Sequence, residues 1–176
     1  MYARLPKERI GVAVGPEGQT KQEIERRTGT KLTVDSETGE VRIESTTENP
    51  LGVLKARDVI NAIARGFSSE RALRLLKDDQ LFEIIDIKDF AGDSDRALVR
   101  LKGRVIGEQG KTRQILEQTT GTHISVYGKT IALIGAAEQL AVVREALNML
   151  LVGAKHSTVY RFLERKRGKS RATLIR

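Results

Sequence analysis

Gly15-Pro16-Glu17-Gly18 and Gly107-Glu108-Gln109-Gly110 are two G-x-x-G runs. Two glycines three apart let a chain turn sharply, and without a Cβ the turn can lie directly against a ligand. The helix predicted to start after each run would point its unpaired N–H groups at that ligand, which favours an anion such as phosphate. The two runs differ in charge. Arg100, Lys102, Arg104, Lys111 and Arg113 surround the second, with Glu108 the one acid among them. Around the first, Lys7, Arg9 and Lys21 are offset by Glu8 and Glu17, and Pro16 has no N–H to offer. The second loop is therefore expected to be the stronger phosphate binder.

Other chemistry is weakly supported. Gly110-Lys111-Thr112, Gly128-Lys129-Thr130 and Gly168-Lys169-Ser170 each resemble the end of a nucleotide-binding P-loop. That motif needs a further glycine upstream, where Val105, His123 and Leu163 stand instead. The pairs Asp78/Asp79 and Asp93/Asp95 lack a clear third ligand, so no metal and no cofactor are expected. His123 and His156 have no evident nucleophile or acid beside them, and an enzyme is not expected. There is no cysteine, which excludes a disulfide frame and a thiolate nucleophile. No apolar run is long enough to span a membrane, and Met1–Ile10 does not read as a signal peptide, so a cytoplasmic protein is expected.

The elements that must hold the loops come from an internal repeat. Residues 15–34 match 107–126 without a gap, at nine of 20 positions: Gly15/Gly107, Gly18/Gly110, Thr20/Thr112, Gln22/Gln114, Glu25/Glu117, Thr28/Thr120, Gly29/Gly121, Thr30/Thr122 and Val34/Val126. The likeness resumes at an offset of 87, where Arg57, Asp58, Ile60, Asn61, Ile63 and Gly66 face Arg144, Glu145, Leu147, Asn148, Leu150 and Gly153. The 176 residues are thus read as two homologous units, 1–79 and 80–167, with a basic tail over 168–176.

In unit one the pattern predicts a strand at Tyr2–Leu5 and helices at Glu8–Val14 and Gln19–Thr28. Strands at Lys31–Val34 and Val41–Glu44 follow. A helix then runs from Asn49-Pro50 to about Arg65 with Val53, Leu54, Val59, Ile60 and Ile63 inward, and a short helix covers Ser69–Leu76. Unit two repeats the order with a strand at Phe82–Ile87, a strand or helix start at Leu98–Ile106 and a helix at Lys111–Thr119. Strands at His123–Tyr127 and Ile131–Ile134 and helices at Glu138–Leu151 and Thr158–Arg165 complete it. Asp89–Asp95 reads as an acidic loop. The net charge of +8 is uneven: residues 1–80 carry 14 basic and 13 acidic side chains, residues 81–176 carry 17 and 10. The excess therefore sits with the second loop and the tail, where Arg165, Lys166, Arg167, Lys169 and Arg171 would contact phosphates.

Strand, helix, G-x-x-G, helix, strand, strand, helix, twice in register, resembles the type I KH domain in tandem. The resemblance implies an α+β fold of two βααββα domains, each a three-stranded antiparallel sheet packed by helices, with an extra helix after each. It also implies that the loop clamps about four nucleotides of a single strand. Bases would then lie in an apolar groove, for which Ile115, Leu116, Ile124 and Val126 are candidates in unit two and Ile24, Leu32 and Val34 in unit one. Tyr160 and Phe162 are candidates for base stacking or for packing the last helix.

The run LKGRVIGEQGKTRQILEQTTGTHISVYGKTIALIG, then TVYRFLERKR, with the opening YARLPKERIGVAVG and the helix GFSSERALRLL, is more specific. It resembles the archaeal counterparts of the KH-domain small-subunit processome protein, called partner of Nob one or Dim-two. The family implies a ribosome-assembly factor. It would bind single-stranded small-subunit precursor rRNA near the 3′ end, beside the endonuclease that cuts there. Its RNA contacts carry over to Gly107, Glu108, Gln109 and Gly110 with Arg104, Lys111 and Arg113. Ile115 and Ile124 would form the groove, and Gly15, Pro16, Glu17, Gly18 and Lys21 the counterpart in unit one. The alternatives are a general KH regulator of mRNA or RNA decay, and an adaptor that recruits the nuclease or a translation initiation factor.

Overall fold

The computed structural model describes residues 1–174 as two compact units, Met1–Phe82 and the chain from Glu83 onward. Unit one runs β1 (Tyr2–Arg4), α1 (Lys7–Val14), α2 (Gln19–Thr28), β2 (Thr30–Val34), β3 (Glu40–Ser45), α3 (Pro50–Ala64) and α4 (Ser69–Ala72). Unit two runs β4 (Leu81–Asp86, which starts two residues before the division), α5 (Lys88–Ala91), α6 (Asp95–Ile106), α7 (Lys111–Thr120), β5 (His123–Tyr127), β6 (Thr130–Gly135), α8 (Ala137–Leu151) and α9 (His156–Leu174). Each has the expected βααββα order and a three-stranded antiparallel sheet, β1-β3-β2 in one and β4-β6-β5 in the other.

The helices pack on one sheet face and bury one core per unit. Ile24, Leu32, Val41, Ile43, Val59, Ile60, Ile63 and Phe67 fill the first. Leu101, Val105, Leu116, Ile124, Ile131, Leu133, Leu147, Leu150 and Phe162 are among those that fill the second. Each such side chain stabilises the fold by about 1.5–3 kcal/mol over leaving it in water. α3 starts as its sequence predicts, with the Asn49 side-chain Oδ1 accepting from Leu51 N (3.1 Å) and Pro50 in the first position.

Four of the nine repeated identities build this frame. Glu25 and Glu117 accept from the backbone N–H of Leu32 (2.7 Å) and Ile124 (2.8 Å), tying each second helix to the next strand. The Thr28 and Thr120 hydroxyls bond the carbonyls of Ile24 and Leu116 (2.7 Å each) and pair with the Thr30 and Thr122 hydroxyls (2.7 Å each). Gly29 and Gly121 end the helices at φ 64° and 75°.

Several expectations need correction. Leu54 is exposed, because the buried face of α3 runs through Gly52, Ala56, Val59, Ile60 and Ile63. Leu54 stands two residues from Gly52, on the far side at about 100° per residue. The segment 98–106 is wholly helical within α6, which begins earlier because the Ser94 hydroxyl caps it, accepting from Ala97 N at 3.1 Å. Part of the acidic loop is a helical turn, α5. The last helix does not stop near Arg165. It continues through Leu174 across Gly168, Ser170 and Thr173, so residues 168–174 extend α9 rather than forming a separate tail. Ile175 and Arg176, the end of that expected tail, lie outside the described residues. Among the described residues no helix is long and apolar enough to cross a membrane, and no group of three or more His, Asp or Glu could hold a metal ion.

Candidate nucleic-acid interface

The two loops adopt the same backbone despite different middle residues. Gly15 and Gly107 have φ/ψ of 73°/173° and 74°/173°, and Gly18 and Gly110 have 76°/11° and 74°/12°. Between them Glu17 and Gln109 are left-handed at φ 51° and 53°, the two non-glycine residues with positive φ among those described. Each holds strain of about 1–2 kcal/mol. Two backbone bonds close each loop, Gly18 N to Gly15 O (3.1 Å) and Gln19 N to Pro16 O in the first, Gly110 N to Gly107 O (3.2 Å) and Lys111 N to Glu108 O in the second.

The glycines within a loop are required for different reasons. A Cβ on Gly15 or Gly107 would stand 2.3 or 2.2 Å from the hydroxyl of Thr20 or Thr112, so the shared threonine and first glycine are fitted to each other. A Cβ on Gly110 would meet nothing within 4 Å. The second glycine is needed for its left-handed turn and leaves open space in front of the loop. Neither following helix has a side-chain cap, so an anion could serve as one.

Glu108, Gln109 and Lys111 are exposed at the second loop, as are Pro16 and Glu17 at the first. Lys21 is half-buried and engaged with Glu25, 3.4 Å away. Among the described residues no ion pair is made by Arg100, Lys102, Lys111 or Arg113. Arg113 is half-buried, and its Nε is buried without a hydrogen-bond partner. A buried donor of this kind costs about 1–3 kcal/mol until something accepts from it.

The Arg104 guanidinium is engaged by protein carbonyls. Its Nε donates to Leu150 O at 2.9 Å and its terminal nitrogen to Ala154 O, closing the C-terminal end of α8. Arg9 does the same for α3, donating to Ile63 O (2.8 Å) and Phe67 O. The accepting carbonyls match between the repeats, while the arginines sit one helical turn apart on their helices, which is why the alignment hides the shared role. Arg104→Ala should lower the melting temperature of unit two by about 8–16 °C, from a loss of about 2 kcal/mol. Calorimetry would check this; an unchanged transition with weakened RNA binding would return Arg104 to the interface.

The groove candidates divide. Ile124 is 1 % exposed, and Leu116, Ile24 and Leu32 are equally enclosed, so these four are core. Ile115, Val126 and Val34 are half-buried and remain able to touch a ligand. Phe162 is core, with Lys166 Nζ 5.5 Å from its ring centre.

Sequence reasoning missed an open pocket of about 440 Å³ beside the second loop. Arg100, Gly103 and Arg104 on α6, Lys111 and Thr112 on α7, and His156 and Tyr160 on α9 line it, with Gly107 and Glu108 at its rim shared with the loop. The signal available was the offset of 87, which pairs His156 with Ser69 and Tyr160 with Leu73.

Comparison with known proteins agrees with this geometry. Residues 81–168 match the model of the eukaryotic type KH-domain (KH-domain type I), and residues 3–62 that of the KH domain. The KH domain-containing protein MJ0443 of Methanocaldococcus jannaschii is 48% identical over 94% of this chain and 73% of its own. The pre-rRNA-processing protein PNO1 of Chaetomium thermophilum is 31% identical over 74% of this chain, which spans about half (51%) of that longer protein. Among solved structures, the a/eIF2alpha-aDim2p-rRNA complex from Pyrococcus horikoshii OT3 contains a chain 51% identical, with a TM-score of 0.89 over 96% of this chain and 94% of that one.

Proposed function

The chain belongs to the KH-domain family of archaeal Dim2p and eukaryotic PNO1, and from that premise we propose that it is an RNA-binding factor of small-subunit ribosome assembly. It binds single-stranded rRNA near the 3′ end, chiefly through the Gly107–Gly110 loop, and acts by holding RNA rather than by catalysis. The observation that carries the ranking of the units is the charge around two loops of one backbone shape. Among the described residues the second keeps Arg100, Lys102, Lys111 and Arg113 without carboxylate partners, while in the first Lys21 is paired with Glu25 and Arg9 is spent on the end of α3. A contact with an rRNA-processing endonuclease belongs to the same proposal. The a/eIF2alpha in the complex of the Pyrococcus relative favours a second role, recruitment of a translation initiation factor.

Crosslinking in cells followed by RNA sequencing tests the target. A peak at the 3′ end of small-subunit rRNA is expected, and crosslinks spread over mature messages would replace assembly with general RNA regulation. In vitro, affinity should fall with salt. About five phosphate contacts give a log–log slope near −3.5 for a single strand. A flat response to salt, measured by fluorescence anisotropy, would remove the phosphate clamp.

A further inference from the structure

The pocket beside the second loop has chemistry that the loop does not need. Lys111 and Arg100 are exposed at it, and His156 and Tyr160 form an aromatic wall with ring centres 6.2 Å apart and planes at 59°. The Tyr160 hydroxyl meets the Thr112 hydroxyl at 3.2 Å, and His156 Nε2 lies 2.9 Å from Arg104 O, so both rings are positioned by α6 and α7 rather than left free. On the α6 side the wall is Gly103, exposed in mid-helix, where an added Cβ would meet nothing within 4 Å. With no side chain at this place the backbone of α6 is left open to the pocket; Gly11 is equally open in unit one, so the lining around the glycine is what sets the units apart.

Unit one supplies an internal comparison. Gly11 matches Gly103, but Glu8 stands for Arg100, Gln19 for Lys111, Ser69 for His156 and Leu73 for Tyr160. The same fold therefore stands without this cationic and aromatic lining. Neither Arg113, Ile115 nor Val126 lines the pocket, so it is separate from the apolar groove, yet Gly107 and Glu108 border it. A strand lying on the loop would pass its rim.

We propose that this pocket is a second nucleotide subsite. It takes the nucleotide adjoining those held by the loop, with phosphate against Lys111 and Arg100 and base against His156 and Tyr160. The proposal rests on the RNA-binding reading above and extends the footprint of unit two beyond the clamp. Aromatic side chains stack on any base, so the subsite adds affinity with little sequence preference.

The test gives unit two the residues of unit one, in a His156→Ser/Tyr160→Leu variant of the full chain. Anisotropy is read on single-stranded oligonucleotides of about four and about eight nucleotides, the shorter filling only the clamp. The shorter should bind within about twofold of the unsubstituted chain, and the longer about tenfold more weakly, as expected for one lost stacking contact. Tyr160→Phe should keep the affinity for the longer strand, and a 4-thiouridine oligonucleotide should crosslink to the 156–160 segment. His156→Ser alone, with weaker binding of the longer strand only, secures the result if Tyr160→Leu lowers the melting temperature. Equal binding of the longer strand by the double variant and by His156→Ser, or crosslinks elsewhere on the protein, would overturn the subsite while leaving the clamp. Absence of binding to either oligonucleotide by the unsubstituted chain would overturn the RNA reading itself.

Discussion

Gln109→Asp is expected to weaken RNA binding by roughly thirtyfold, about 2 kcal/mol, with melting of the chain almost unchanged. Gln109 is exposed and left-handed at φ 53°, a conformation aspartate accepts more readily than most residues. A carboxylate before the N-terminus of α7 also sits favourably in the helix dipole, so the fold loses nothing. What changes is the charge presented to a phosphate. Glu108 already stands in the loop, and a second acid beside it would oppose the attraction of Lys111 and Arg113. Pro16→Asp makes the equivalent pair with Glu17 in unit one. Since that loop is read as the minor contact, its effect should stay below about threefold, within what a screened surface charge contributes. Anisotropy on one oligonucleotide with both variants decides the matter. A larger loss from Pro16→Asp would reverse the ranking of the units.

The loops and their flanking elements were legible because glycine, caps and hydrophobic period are local signals. Gly15-Pro16-Glu17-Gly18 lies where the sequence puts it, and α2 spans the residues its pattern predicts, Gln19–Thr28. The roles of individual side chains were less legible, because they depend on partners far along the chain. Arg104 reads as a free cation until the end of α8, about 46 residues on, is placed against it. Ile115 and Leu116 are equally apolar, yet adjacent helical residues point about 100° apart, so only Leu116 reaches the core. Shared residues also mislead when a repeat is read as a record of ligand contacts. Glu25, Thr28 and Thr30 recur in unit two because both units need the same hydroxyl and carboxylate bonds, and Thr20 recurs because it packs against the first glycine of the loop. Of the aromatic wall the sequence marks only Tyr160, as a stacking candidate; His156 beside it carries no such signal, since both differ from Ser69 and Leu73 and a repeat marks likeness, not difference.

The largest loss of stability is expected from Gly107→Ala, and its comparison with Gly110→Ala separates the glycine that builds the loop from the one that faces the ligand. At Gly107 the backbone, φ 74° and ψ 173°, lies in a region that side chains essentially never occupy. The new Cβ would also stand 2.2 Å from the Thr112 hydroxyl and 2.7 Å from Thr112 N. The hydroxyl can rotate away, but the backbone nitrogen cannot, so Thr112→Ala should not rescue the variant. A cost of about 3 kcal/mol would lower the transition of unit two by about 12–24 °C and abolish RNA binding near that temperature. Calorimetry should show the transition of unit one unmoved. At Gly110 the turn is left-handed at φ 74° and ψ 12°, with nothing within 4 Å of an added Cβ. Alanine there should cost only about 1 kcal/mol, or about 4–8 °C. Measured well below its melting temperature, Gly110→Ala should still bind RNA about tenfold more weakly, a loss its small destabilisation does not supply. Since the methyl meets no protein atom, that loss has to come from a strand pressed against the loop. Full affinity in Gly110→Ala would mean that RNA does not lie there, and the open space before the second glycine would need another occupant.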